Sequence, residues 1–315
     1  MRLRTVYMGT AEIACAPLKA LYHFSTCDIV CVITQPDRPR GRDMRTHSSP
    51  VKGCAEELGL PVLQPQTLRN NEILEQLRSF RPDLLIVAAF GQILPQIILD
   101  LPEYGAVNIH ASILPRHRGA APIQWAILEG DKETGITLMK MDAGLDTGDM
   151  IAFSRTRILE TDNSRTLNDR LADMGASLIT NTLPDYLSGK IIPKEQNESL
   201  ATYARKIIKS DGKIDWSLPS IEIQRRVRAF TPWPGAFTNL PTKQKPLLKI
   251  SGANTFELSG SVGEIISITE NSIVVACGNG SLEITEVQRE GGRVMEVKNF
   301  LNGCPLELGA ILGSV

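Results

Sequence analysis

The sequence predicts an α/β chain, a doubly wound parallel sheet followed by a small β-barrel, and two observations lead there. In the first half, short apolar runs alternate with stretches of helical periodicity, the pattern of strands joined by crossover helices. After residue 206, short strand-like runs recur at close spacing with Gly and Asn turns between them, which suits a small barrel. At 315 residues the chain is long enough for one large domain and a smaller second one.

In order along the chain, apolar runs at 6–8, 28–33, 84–89 and 106–109 read as buried parallel strands. Helical patterns lie between them at 11–24, 51–58 and 72–80. Two further runs, 135–141 and 150–154, are joined by the eight residues 142–149, too few for a crossover helix. They are expected as an antiparallel hairpin at the sheet edge. A long amphipathic helix follows over 165–187 and ends at Ser188-Gly189. Periodic signals then fade, so the expected division is a first domain 1–189, a linker 190–205 and a second domain 206–315. Its strands are expected at 236–240, 246–251, 260–267, 272–276 and 281–287, with a turn at Gly278-Asn279-Gly280.

Hydrophobic content of 42% and charged content of 22% are those of an ordinary globular protein. A net charge of -1 excludes a chain that is basic throughout, yet the charge is unevenly placed. Between Arg205 and Lys249 ten cations face only Asp211, Asp215 and Glu222. A Pro/Gly-containing loop adds Arg38, Arg40, Arg42, Arg45 and Lys52 against Asp37 and Asp43, and reads as a flexible positive arm. Together these two stretches suit a polyanionic partner. No apolar run approaches a membrane span, and the first ten residues lack the apolar core of a signal peptide. Cysteines at 15, 27, 31, 54, 277 and 304 form no CxxC pair and read as reduced thiols of a cytoplasmic protein, a redox or zinc role for Cys27/Cys31 being a remote alternative.

Chemistry concentrates after the strands. Met8-Gly9-Thr10-Ala11-Glu12 gives a strand-to-helix turn but not GxGxxG, which argues against a dinucleotide enzyme. In Asn108-Ile109-His110-Ala111-Ser112-Ile113-Leu114-Pro115, residues two apart on a strand share a face. Asn108 and His110 are thus expected to project together at the carboxyl edge of the sheet. An amide donor beside an imidazole suits a reaction that builds charge on a carbonyl oxygen, the plain alternative being a core histidine and a capping asparagine. His117, just beyond, reads as a solvated loop residue. The hairpin loop offers Asp142, Asp146 and Asp149. Their spacing does not fit a calcium loop, which needs ligands at positions 1, 3, 5 and 12. One of them could lie against His110, fixing its tautomer and favouring the imidazolium, and the spacing alone leaves open which.

Several stretches in matching order resemble the methionyl-tRNA formyltransferases, within the wider group of enzymes that use 10-formyltetrahydrofolate. They are Asn108-x-His110-x-Ser112-x-Leu114-Pro115, Arg118-Gly-Ala-Ala-Pro-Ile-Gln-Trp125 and Asp142-Ala-Gly-Leu-Asp-Thr-Gly-Asp149. To these add Gln35-Pro-Asp-Arg-Pro-Arg-Gly-Arg42, Lys206-Ile-Ile-Lys-Ser-Asp-Gly-Lys-Ile-Asp-Trp216 and Phe230-Thr-Pro-Trp-Pro-Gly-Ala236. The resemblance implies a Rossmann-like formyl-folate domain and an OB-like C-terminal barrel. It implies transfer of the formyl group of 10-formyltetrahydrofolate to the amine of methionyl initiator tRNA by a monomeric enzyme that needs no metal. It also implies roles: Asn108, His110 and Asp146 catalytic; Phe90, Gly91, Ser112, Ile113, Leu114, Pro115 and Asp142 around the folate; Arg42, Lys206 and Lys209 facing tRNA phosphates. Rival acceptors are a sugar nucleotide, a purine precursor or water, and a non-catalytic tRNA binder is the rival outside catalysis.

Overall fold

The computed structural model describes residues 2–40, 45–241, 244 and 246–313, the side chains at 39, 40 and 45 excepted, so Arg42 lies outside the described residues. β1 (Leu3–Gly9) is followed by α1 (Cys15–His23) and β2 (Cys27–Ile33). The basic loop expected as a flexible arm carries a two-stranded antiparallel ribbon, β3 (Arg38–Arg40) and β4 (Arg45–His47). Next come α2 (Pro50–Glu57), β5 (Val62–Leu63), α3 (Asn71–Ser79) and β6 (Leu84–Ala88). Both helices start where a side-chain oxygen takes an orphan backbone N–H: Ser49 Oγ accepts from Lys52, and Asn70 Oδ1 from Ile73. α4 (Gln96–Leu99), β7 (Ala106–His110), β8 (Arg118–Gly119) and α5 (Pro122–Leu128) lead to the hairpin of β9 (Glu133–Lys140) and β10 (Met150–Arg157). α6 (Ser164–Leu187) and the short β11 (Tyr203–Ala204) follow.

The main sheet runs β10-β9-β7-β6-β1-β2-β5. The five strands from β7 to β5 are parallel, and β9 and β10 add the antiparallel edge that the short 142–149 loop requires. β6 and β7 are buried along their whole length, because helices cover both faces of a parallel sheet. One core gathers Val6, Met8, Cys31, Ile33, Leu85 and Val87 against Leu74 and Leu77 of α3. Strand order reverses between β1 and β6, the place where open α/β sheets form their crevices.

The chain falls into two compact units. The first comprises 1–122, 133–157 and 168–205; the second comprises 206–315 with two short excursions, 123–132 and 158–167. Those excursions lie inside the 1–189 span expected as one domain. The later excursion joins the second unit through specific bonds: Ser164 Oγ donates to the Ala229 carbonyl, and the Arg228 guanidinium donates to the Asp162 carbonyl at 3.0 Å. Residues 190–205 are not a bare linker. Lys194 bridges Met150, and β11 pairs in parallel with β8.

In the second unit α7 (Ser220–Ala229) precedes β12 (Ala236–Asn239), β13 (Leu247–Phe256), β14 (Ile265–Ile268), β15 (Ile273–Ala276), β16 (Ser281–Arg289), β17 (Val294–Glu296) and α8 (Val297–Gly303). The antiparallel sheet runs β12-β13-β16-β15-β14, with β17 also on β16. It curls around one core that includes Trp216, Ile223, Val227, Ile250, Val275, Ile284 and Phe300, as a small OB-like barrel does. Irregular register on both sides of Gly252 bends β13 and lets it continue past the strand end expected at 251. The strand expected from 260 begins only at Ile265, because 261–263 form a turn. No helix of the described residues is long and apolar enough to cross a membrane.

Candidate active site

The site forms at the carboxyl end of β7. There Asn108 and His110, 8% and 5% exposed, stand opposite Met139 and Thr137 of β9. The two carboxylate oxygens of Asp146, whose side chain is 14% exposed, divide between them. Asn108 Nδ2 donates to Asp146 Oδ1 at 3.3 Å, while Asp146 Oδ2 lies 3.6 Å from His110 Nδ1. Of the three loop aspartates, Asp146 is the one that reaches the strand pair. On the far side of the ring, His110 Nε2 is 3.0 Å from the His117 carbonyl oxygen. A carbonyl oxygen only accepts, so Nε2 carries a hydrogen and Nδ1 is the nitrogen turned to the carboxylate.

Asp146 reaches inward because its backbone is left-handed, with φ 56°. Such a conformation is strained for a residue with a side chain and persists only where its surroundings hold it. The Gly119 amide donates to Asp146 Oδ2 at 2.8 Å. Gly119 itself sits at φ 116°, and a Cβ there would lie 2.8 Å from the Ala204 carbonyl oxygen, so only glycine fits. Asp142, expected beside the folate, is exposed and accepts from the Gly144 amide at 2.9 Å and the Thr147 hydroxyl at 2.8 Å. It therefore folds the loop that presents Asp146.

The other expected ligand-lining residues separate by exposure. Ser112 is fully buried and its hydroxyl donates to the Arg116 carbonyl at 2.6 Å, while Leu114 is also buried. Ile113 and Pro115 remain part-exposed. Thr137 builds this turn: its hydroxyl donates to the Ser112 carbonyl at 2.7 Å and accepts from the Leu114 amide at 3.1 Å. Phe90 and Gly91 line a cavity of about 470 Å³ with Thr10, Gln35 and Arg38, at the strand-order reversal. Asp142 lines another of about 740 Å³ with Lys140, Met141 and Tyr186.

The sequence model of the formyl transferase family matches residues 1–183, and that of its C-terminal domain matches 206–305. Methionyl-tRNA formyltransferase of Citrifermentans bemidjiense is 47% identical over 311 residues, covering 99% of this chain and 96% of its own. The chain belongs to the methionyl-tRNA formyltransferase family. It is thus a formyl-transferring enzyme. Among solved structures, the sugar 3N-formyltransferase WlaRD, crystallised with dTDP and 5-N-formyl-THF, superposes with a TM-score of 0.65 at 20% identity, covering 92% of this chain and 98% of that one. HypX from Aquifex aeolicus, in complex with tetrahydrofolic acid, gives 0.62 at 17% identity over 96% of this chain, which spans 47% of HypX. At these identities the two share the fold.

Membership in the family does not by itself identify every residue that builds the site. His117, expected in solvent, is buried at φ 58°, its amide held by Thr202 Oγ1 at 2.8 Å so that its carbonyl meets His110. Arg118 and Gln196 were not marked by any periodic or chemical signal as site residues, yet both are buried beside Asp146. Lys206 and Lys209 open the second unit with exposed side chains. Arg228 is half-buried, and burial lowers its pKa; its carbonyl partners make it a structural member of the basic stretch. Lys243 and Lys245 lie outside the described residues.

Proposed function

We propose that this member of the family transfers the formyl group of 10-formyltetrahydrofolate to the free amine of methionyl initiator tRNA, and that Asn108, His110 and Asp146 carry the reaction. The amine lone pair forms a bond to the formyl carbon and the carbonyl pair moves onto oxygen. Collapse then breaks the bond to N10 of the folate. One proton leaves the attacking nitrogen and one arrives on N10, so tetrahydrofolate and formylmethionyl-tRNA result. Asn108 Nδ2 has two hydrogens and Asp146 Oδ1 takes one of them, leaving the second for the oxyanion. His110, when its ring carries both protons beside the carboxylate, would add positive charge near the same oxygen. Donors of this kind are worth about 2.7–4 kcal/mol each in a water-poor site. Asp146 holds the ring and relays the proton through water.

The folate would lie along Phe90, Gly91, the 112–115 turn and the Asp142 loop. Arg42, Lys206 and Lys209 would face tRNA phosphates. The acceptor places the enzyme with the translation machinery of the cytoplasm, and it works as a monomer. The observation that carries the reading is the convergence of amide, imidazole and carboxylate on one point at the end of β7.

The test incubates the protein with 10-formyltetrahydrofolate and methionyl initiator tRNA and separates formylated from free methionyl-tRNA. Formylmethionyl-tRNA is the expected product, and K206E/K209E should raise the KM for tRNA and flatten its salt dependence. Absence of product with both substrates bound would overturn the reading. Formylation of a dTDP-amino sugar instead would move the protein to another acceptor class.

A further inference from the structure

A buried chain of polar contacts runs from the 190–205 segment to the backbone of Asp146. Gln196 is 4% exposed. Its Nε2 donates to the carbonyl oxygens of Asp146 at 2.9 Å and Gly148 at 2.7 Å. Its Oε1 accepts from Arg118 Nε at 3.1 Å and Nη2 at 2.8 Å. Arg118 has only donors, so the amide oxygen must face it and the amide nitrogen must face the two carbonyls. Both hydrogens and both lone pairs of the amide are thereby used.

Arg118 is fixed in turn. Its side chain is fully buried, and Nη1 and Nη2 donate to the two oxygens of Glu198 at 2.9 and 2.7 Å. Arg118 and Gly119 form β8, paired with β11, so the strand whose arginine bonds Gln196 also carries the amide that holds Asp146 Oδ2. The carboxylate is therefore held from two sides, through its own oxygen by Gly119 and through its backbone by Gln196. Gly148 completes the loop: a Cβ there would lie 1.8 Å from the Lys140 carbonyl oxygen.

We infer that Gln196, backed by Arg118, is a positioning residue for formyl transfer: it clamps the left-handed turn that aims the Asp146 carboxylate at His110 and Asn108. The inference rests on the proposed role of Asp146. It assigns to the stretch between the two matched family segments, 1–183 and 206–305, a part in the chemistry.

Gln196→Glu isolates the clamp. A carboxylate keeps two acceptors for Arg118, so the buried arginine stays paired, but it has no hydrogens for the Asp146 and Gly148 carbonyls. The expected result is an enzyme that folds but unfolds at a somewhat lower temperature, since two carbonyls lose their donor, with unchanged KM for both substrates and kcat lower by about 10- to 100-fold. In an Asp146→Asn background the same substitution should cost almost nothing further, because a residue that acts through Asp146 has nothing left to position. An equal loss in both backgrounds would show general structural damage and overturn the inference. So would full activity of Gln196→Glu. If Gln196→Glu does not fold, Gln196→Asn, which keeps the amide but is one methylene too short to span Arg118 and both carbonyls, is read in the same cycle with the same two outcomes. Full activity of Asp146→Asn would remove the reading of Asp146 itself, an outcome distinct from the failure of the clamp alone.

Discussion

At the scale of single residues, the site is a case of a few side chains held by many. Asn108 and His110 were legible in the sequence, because period two on a strand puts them on one face and the apolar run fixes where that strand lies. Asp146 was not separable from Asp142 and Asp149 by spacing, since its reach depends on a left-handed turn that no local propensity encodes. Gln196 was beyond reach: it lies in a stretch without periodicity, and its partners are 48 to 78 positions away in sequence. The Arg118–Glu198 pair behind it makes a pH prediction. Hydrogen bonding from Arg118 holds the Glu198 carboxyl below its ordinary value. A carboxyl with a lowered folded-state pKa adds stability at pH above its unfolded value, about 4.3, and that contribution is lost as pH falls through the folded value. Urea midpoints of wild type and E198Q should therefore differ by a constant amount above about pH 5 and converge on acidification. A gap that stays constant down to about pH 3 would contradict the pairing.

At the scale of elements, hydrophobic runs marked β2, β6 and β7 to within one residue and β1 with its start three residues late, and loop length alone marked the antiparallel hairpin. α7 was missed because its inward face rests on Ile223 and Val227, set among arginines that turn outward or lie along neighbouring carbonyls. The turn after β7 rests on β9 in a way that side-chain chemistry makes testable. Thr137 and Thr134 are both buried on β9, yet only Thr137 is bonded, and the Thr134 hydroxyl has no partner among the described residues. T137V should leave the Ser112 carbonyl and Leu114 amide without their partner and lower stability by about 1–3 kcal/mol, with a fall in kcat as the turn loosens. T134V should be neutral or stabilising, because valine removes an unpaired buried hydroxyl. Equal effects of the two in urea unfolding would refute this account of the turn.

For the whole molecule, the sequence announced two domains but not their interleaving. Residues 123–132 and 158–167 fall with the second unit, the latter through bonds to carbonyls, which leave no trace in composition. The cysteines fit the reading of inert thiols: burial raises Cys31 to about 12 and Cys277 to about 11. Cys27 and Cys31 stand four residues apart on β2, about 13 Å along a strand, too far to bond to each other. β7, the hairpin loop, β8 and residues 190–205 meet at one point, the Asp146 carboxylate and its backbone.

The most direct measurement of that point is single-turnover formylation by Asp146→Asn, with formyl-folate and methionyl initiator tRNA both saturating and folate binding measured on the same protein. Asparagine keeps the size of the side chain and removes its charge. The account predicts undiminished folate binding and a transfer rate lower by about 10²- to 10³-fold. A rate within a few-fold of wild type would contradict it.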